Sequence, residues 1–234
     1  MAKGKLLYEG KAKRIYETDT PGVLWAEFKD AATAFDGLKK GTIADKGIFN
    51  AQLSARLFKT LDDAGIPTHF LKPADERSLL VRALTMLPVE IVIRNRVAGS
   101  IEKRYNLPRG QALKPPILEY YLKNDALHDP MLNRDHVVVL GYVKPALLRR
   151  VDAAATAVNR VLSRYMRRRG FDLVDFKLEF GVRGRRLYLG DEISPDTCRI
   201  WDAATGEVFD KDRFRLDLGE VESHYQAVVR RLTA

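Results

Sequence analysis

Two stretches of this chain gather acidic side chains beside the residues of buried strands. In GDEISPDTCRIWD, Gly190 to Asp202, the carboxylates Asp191, Glu192, Asp196 and Asp202 follow the apolar run LYL. Like charges at the end of a core strand repel, and burial disfavours their ionised forms. Something positive must answer them. In DLVDFKLEFG, Asp172 to Gly181, strand alternation puts Val174, Phe176, Leu178 and Phe180 on one face and Asp175, Lys177 and Glu179 on the other. A half-exposed strand with a solvated charged face gives the same alternation. A turn at Arg183–Gly184 returns the chain antiparallel, which brings Glu179 and Asp191 together. Two such carboxylates call for a shared proton or divalent cation, and magnesium takes one or two carboxylates plus substrate phosphates. Lys177 between the acids suits a negative group in transfer.

Other stretches supply cations. LYEGKAKRIY, Leu7 to Tyr16, sets Gly10 before Lys11 and Lys13 between two strands. Backbone N–H groups and ammonium groups there make a phosphate cradle; a plain surface hairpin with lysines fits the same letters. MLPVEIVIRNRVAGS, Met86 to Ser100, ends a β-branched strand in Arg94, Asn95 and Arg96 ahead of a short helix opening at Ser100. That is an anion site or a surface arginine pair at a helix cap. LKNDALHDP, Leu122 to Pro130, clusters Asp125, His128 and Asp129 as a metal site or an Asx-rich turn. Cys198 has no histidine near it in sequence and acidic neighbours that disfavour a thiolate. Arg167 to Arg169 lack interleaved aromatics, so they read as a solvated helix end rather than a nucleic-acid site. Cradle, anion site and carboxylate cluster together describe a nucleotide phosphotransfer site using ATP, magnesium and an anionic acceptor.

The elements that must position these groups follow from pattern. Leu6–Tyr8, Ile15–Glu17 and Val23–Phe28 read as strands with turns at Gly10 and Pro21–Gly22. Asp30 to Lys46 is polar and Gly-dotted, a loop. Ile48, Phe49, Leu53, Leu57, Phe58 and Leu61 lie at helical spacing up to Gly65 and Pro67. Leu79–Leu84 and Val89–Arg94 are strands split by Pro88, and Leu107 to Asp135 reads as a long ordered loop region. A long amphipathic helix spans Leu147 to Met166. Strands at Leu173–Phe180 and Leu187–Leu189 and a helix from Gly219 complete the order. The expectation is a β-rich lobe over residues 1–86 and a mixed lobe over 87–234, meeting near Met86–Pro88.

The totals bound the function. The 234 residues carry 40 Lys and Arg against 31 Asp and Glu, a formal charge of +9, which favours acidic partners. No segment approaches the roughly 20 apolar residues of a membrane helix. MAKGKLLYEGKAK has no apolar core like that of a signal peptide. The single cysteine leaves no internal disulfide, which fits a reducing cytoplasm.

Together these stretches resemble the SAICAR synthetase (phosphoribosylaminoimidazole-succinocarboxamide synthase) family. MLPVEIVIRNRVAGS and LVDFKLEFG look like its two signature segments, and EGKAKRIY, LKNDALHDP, GDEISPDTCRIWD and DKDRFR resemble further blocks in the same order. The resemblance implies a two-lobed α+β fold, an N-terminal antiparallel β lobe and a mixed α/β C-terminal lobe with ATP in the cleft between them. It implies ligation of L-aspartate to a carboxylated aminoimidazole ribonucleotide in purine biosynthesis, by a cytoplasmic homodimer with no nucleic-acid or membrane partner. Residue by residue, it puts the ATP phosphates at Gly10, Lys11, Ala12 and Lys13, the adenine at Ile15 and Leu24, the hinge at Met86, and further ATP contacts at Arg82, Lys123 and Glu179. Glu179, Asp191 and Asp129 hold magnesium. Arg94, Ser100 and Arg199 take the ribosyl phosphate, and Asp175, Lys177 and Asp196 orient the imidazole. Lys177, Asp191 and Lys13 carry the catalysis. Asp36 and Gly37 belong to a loop closing over the site. Two rivals share parts of this pattern: a kinase that stops at phosphoryl transfer, and a basic nucleic-acid-binding module, which leaves the clustered acids unexplained.

Overall fold

The computed structural model describes residues 1–34 and 37–234; Asp36, expected in a closing loop, lies outside the described residues. The chain opens with an antiparallel meander, β1 (Lys3–Glu9), β2 (Lys13–Thr18) and β3 (Val23–Phe28). A hairpin of β4 (Ala31–Ala34) and β5 (Lys39–Thr42) leads into helix α1 (Lys46–Asp63). Strands β6 (Phe70–Asp75) and β7 (Ser78–Arg82) then complete a five-stranded sheet in the order β1-β2-β3-β7-β6.

The second sheet begins with β8 (Thr85–Arg96). Helix α2 (Ser100–Tyr105), strand β9 (Ala112–Leu122), a single 3-10 turn (Asp125–Leu127) and β10 (Met131–Leu132) follow. Helices α3 (Arg134–Val139) and α4 (Pro145–Arg167) precede β11 (Phe171–Arg183), β12 (Arg186–Leu189) and β13 (Cys198–Asp202), and α5 (Asp212–Arg215) and α6 (Val221–Thr233) end the chain. The order is β10-β9-β8-β11-β12, with β13 also paired to β11. Strand β11 is long enough to take β8 along one edge and both β13 and β12 along the other. Every residue on its site-facing side is therefore fixed by neighbours on both sides.

The larger core lies between this sheet and the helices. Leu148, Val151, Ala155, Val158, Leu162 and Met166 of α4 are fully buried against β11 and β8. Burying a leucine or valine of this kind contributes about 1.5–3 kcal/mol. Helix α1 serves two cores: Leu53, Leu57, Phe58 and Leu61 join the larger one, while Ala51 packs with Ala26, Phe28, Leu79 and Val81 under the first sheet. Residues before 86 thus contribute to the core of the second sheet.

Three local expectations are corrected. Residues 30–46, expected as a loop, hold the β4–β5 hairpin, whose AATA and KKGT sequences show no apolar alternation. The region 107–135, expected as a loop, contains the eleven-residue β9. Its Pro115 and Pro116 lie where β9 has no outer partner, because β10 covers only Tyr120 and Tyr121; prolines are tolerated at such edges. Pro88 does not split its strand: β8 runs through it beside a register shift against β11 between Glu179 and Gly181, and bulges accept proline.

Gly47 allows α1 to meet β3. A Cβ there would stand 2.5 Å from the Phe28 carbonyl oxygen, a main-chain atom held in a strand. Helix propensity alone makes Gly→Ala stabilising by about 1 kcal/mol. The overlap reverses that sign, so Gly47→Ala is expected to lose about 1–3 kcal/mol, read as a lower melting temperature with unchanged far-UV circular dichroism.

Candidate active site

A cleft of about 950 Å³ opens between the two sheets. One end is an apolar slot formed by Ile15, Leu24, Ala26, Val81, Leu84 and Met86. The β1–β2 turn closes over it. This turn is tied down by Gly10 N–H to Lys13 O at 2.8 Å, Lys29 N–H to Ala12 O at 2.8 Å, and Lys29 Nζ to Gly10 O at 3.1 Å. Lys11 reaches across the mouth to Asp125 at 2.8 Å, an exposed pair that solvent screens. Arg82 lines the cleft, and its guanidinium donates to the Thr68 and Phe70 carbonyls at 3.0 and 2.9 Å.

The acids of the opening question meet their cations on the cleft floor. Lys13 points down from β2 and places Nζ 2.5 Å from Asp191 and 2.7 Å from Glu192. Lys177, rising from β11, stands 2.7 Å from Glu179, 3.1 Å from Glu90 and 4.0 Å from Asp191. Lys123 takes the other oxygen of Glu179. Glu179 and Asp191 therefore converge as the hairpin geometry requires, with Gly190 N–H bonded to Glu179 O at 2.8 Å, around a shared ammonium. Asp191 adopts φ 56°, a left-handed conformation rare for residues other than glycine.

Charge compensation outweighs burial at Lys13, Lys177 and Asp191. Burial alone lowers the Lys13 and Lys177 ammoniums, yet their carboxylates hold both above the ordinary lysine value. Burial raises Asp191, and Lys13 and Lys177 reverse that and hold it below the usual carboxylate range. For Glu90, burial dominates and its pKa rises. Among the described residues no three His, Cys, Asp or Glu side chains form a metal cage. Two hard carboxylates opposite a lysine-bearing turn are the donor type that fits magnesium, which takes one or two carboxylates and fills its shell with waters or substrate oxygens. Asp129 also lines the cleft, its Oδ1 accepting from Asn124 N–H at 2.8 Å.

A second cavity of about 290 Å³ adjoins the first, with Lys177, Asp196 and Thr197 lining both. Its arginines are anchored in a buried network. Arg94, only 3% exposed, donates to Glu119 (2.7 Å), Asp175 (2.9 Å), Ser100 (2.8 Å) and Tyr121 (3.2 Å). Arg199 holds Asp175 at 2.9 and 3.1 Å and Asp212 at 2.7 Å. It lies over Gly99, where a Cβ would stand 2.6 Å from the guanidinium and where φ is +66°. Asp175 and Glu179 are buried ion-pair members, so the face they share on β11 is not a solvated one. Cys198 is buried, and burial raises its thiol pKa, which removes it as a nucleophile.

Asp196 has partners that the sequence analysis did not name. Lys46, fully buried at the start of α1, places Nζ 2.6 Å from its Oδ2, and the Tyr225 hydroxyl of α6 donates to Oδ1 at 2.9 Å. Burial raises the Asp196 pKa, but Lys211 and Lys46 overcome it and hold it at about 2. One signal was present: Lys46, Asn50 and Ser54 recur every four residues on α1, a polar row along an otherwise apolar helix. Ser54 donates to Ile193 O at 3.1 Å, so this row carries the 192–196 loop. Glu90, Glu119 and Lys211 were likewise missed, since each reads as an ordinary surface charge, and Glu192, named in the acidic stretch, was given no role.

Compared with known proteins, residues 6–232 match the family model described as SAICAR synthetase. A phosphoribosylaminoimidazole-succinocarboxamide synthase of Desulfitobacterium hafniense is 51% identical over 99% of this chain and 98% of its own. The crystal structure of the enzyme of that name from Ehrlichia chaffeensis superposes with a TM-score of 0.96 at 43% identity, covering 98% of this chain and 99% of that one. A SAICAR synthetase in complex with ADP gives a TM-score of 0.93 at 49% identity, covering 97% of both.

Breaking a buried pair by removing one partner costs about 3–5 kcal/mol, because a charge is left uncompensated. Lys46→Met is expected to lose about 3 kcal/mol in urea unfolding at pH 7, whereas Lys59→Met, which breaks the exposed pair with Asp63, loses less than about 0.5 kcal/mol. The Asp196 pKa is depressed from 3.8 to about 2. Its contribution is therefore present above the unfolded value and fades as pH falls through about 2. The Lys46→Met deficit narrows in the same window.

Proposed function

The chain belongs to the SAICAR synthetase family, and from that membership we propose how its own residues carry out the reaction. The enzyme is an ATP-dependent ligase of purine biosynthesis that joins L-aspartate to a carboxylated aminoimidazole ribonucleotide. The observation that carries this reading is the meeting of Lys13, Lys177, Glu179 and Asp191 between an apolar slot and an arginine-lined cavity.

A carboxylate resists attack by an amine because its leaving group would be oxide. Transfer of the ATP γ-phosphoryl to a carboxylate oxygen breaks the bond to the β-phosphate and releases ADP. The resulting acyl phosphate has phosphate as its leaving group. The aspartate amine then bonds to the carbonyl carbon, the carbon–oxygen bond to phosphate breaks, and the amine proton passes to solvent or to the departing phosphate. The steps sum to amide, ADP and phosphate.

In this reading the apolar slot holds adenine, with Ile15 and Leu24 over the ring and Met86 at the hinge. Gly10, Lys11, Ala12 and Lys13 hold the phosphates, with Arg82 and Lys123 at their margins. Lys177 steadies the charge on the phosphoryl group in flight, where a preorganised cation is worth most. Glu179 and Asp191, with Asp129 toward the acceptor, are the residues that would hold magnesium. Bound there, the ion would neutralise phosphate charge. Arg199 and Ser100 face the ribosyl phosphate with Arg94 bracing both, while Asp175 and Asp196 orient the imidazole. The same reading places the enzyme in the cytoplasm, supported by its single buried cysteine. It also makes it a homodimer, supported by the exposed Leu6, Leu7 and Tyr8 of edge strand β1.

The deciding assay combines ATP, magnesium, aspartate and the carboxylated ribonucleotide and omits each in turn; amide must form only in the complete mixture. ATP consumption without aspartate dependence would point to a kinase instead. Lys177→Ala and Asp191→Asn are each expected to lower kcat by about a hundredfold or more with the fold intact by circular dichroism. Near-normal turnover removes that residue from the mechanism. Arg199→Ala is expected to raise KM for the ribonucleotide while leaving KM for ATP within about twofold.

A further inference from the structure

The segment DKDRFR contains a cleft cation that the reading above does not use. Lys13, Lys123 and Lys177 each hold a cleft carboxylate within hydrogen-bond distance, and Lys11 is paired with Asp125. Lys211 differs. It lines the main cleft with its side chain only 12% exposed, and its nearest carboxylate among the described residues is Asp196 Oδ2 at 3.9 Å. That oxygen already receives the Lys46 ammonium at 2.6 Å, and the other receives the Tyr225 hydroxyl at 2.9 Å. Burial lowers the Lys211 pKa; Asp196 and Glu192 pull it back up only in part, because Arg215 and Lys46 oppose them. A mostly enclosed ammonium among other cations, whose nearest acid is taken, is stabilised by an incoming anion.

The position narrows which anion. Lys211 N–H bonds to Pro195 O at 3.1 Å, which fixes it beside Asp196 and Thr197, the strip lining both cavities. The ATP phosphates are assigned to the β1–β2 turn, and the ribosyl phosphate to Arg199 in the smaller cavity. The third substrate carries two carboxylates and must bring its amine to the carbonyl between those sites. We propose that Lys211 receives a carboxylate of the aspartate substrate and thereby sets the preference for an acidic amine donor. This rests on the ligase reading.

The test is initial-rate kinetics on purified full-length Lys211→Met and Lys211→Arg, varying each substrate in turn. Losing a charge-assisted contact should raise KM for aspartate about tenfold or more. KM for ATP and for the ribonucleotide should stay within about twofold, and arginine should recover part of the loss. The ratio of turnover with aspartate to turnover with alanine should fall in the methionine variant. An aspartate KM within about twofold of wild type overturns the proposal, as does a larger rise for the ribonucleotide or ATP. Should the methionine variant fail to fold, Lys211→Gln is read by the same criteria. Failure of the ligase reading itself looks different: the unaltered protein would then form no amide in the complete mixture.

Discussion

The site depends on neutralising carboxylates that cannot coexist in it alone. Glu90, Glu179, Asp191 and Glu192 share one cleft floor, where like charges repel, and burial favours the neutral acid at Glu90 and Asp191. Lys177 stands among three of them, and Lys13 crosses from the first sheet to hold Asp191 and Glu192 on the second. Buried pairs of this kind add little net stability, because desolvation consumes most of the Coulomb gain. They do penalise any arrangement that separates the partners. Lys13 thereby couples the two sheets through charge as well as through packing, and holds the β1–β2 turn over Asp191 and Glu192.

The same logic extends to the scaffold. Helix α1 lies against the first sheet through Gly47 and Ala51, and against the second through Leu53, Leu57 and Leu61. Along the face toward the 192–196 loop it presents Lys46 and Ser54, which grip Asp196 and the Ile193 carbonyl. Helix α6 reaches Asp196 from the other side through Tyr225. A carboxylate assigned to substrate orientation is thus held by the first helix and the last. Displacement of either would move it.

The sequence showed this site unevenly, for physical reasons. Lys177, Glu179 and Asp191 were legible because strand alternation and a tight turn fix which side chains meet. Gly10 to Lys13 were legible as cleft-lining residues because a glycine between two strands marks a turn whose backbone can come close to a ligand. Lys46, Glu119 and Lys211 were not, since their partners lie between 15 and 150 positions away and no local rule encodes such pairings. The strand β9 was hidden by Pro115 and Pro116, whose usual meaning fails at an unpaired edge. The β4–β5 hairpin was hidden by residues too small and polar to alternate. The helical stripe of α4 was legible from its period; the sheet order became legible only in the three-dimensional pairing.

The formal charge of +9 invites the idea that the whole chain draws its anionic substrates in. The cleft linings argue for a more local arrangement. Lining the larger cavity are six lysine or arginine side chains and eight aspartates or glutamates, an acidic surplus of two. The smaller cavity has Arg94, Lys177, Arg199 and Arg215 against Asp175 and Asp196, a basic surplus of two. Behind the wall of the smaller cavity Glu119 holds Arg94, and Asp212 holds Arg199 and Arg215, so the arginines are fixed in place by acids that do not line it. The two cavities share Lys177, Asp196 and Thr197 yet present linings of opposite sign. On the proposed reading, an acidic cleft floor suits a nucleotide that arrives with a cation, and an arginine-lined pocket suits a bare phosphate monoester. That distinction rests on local sign, which a net charge summed over the chain does not contain.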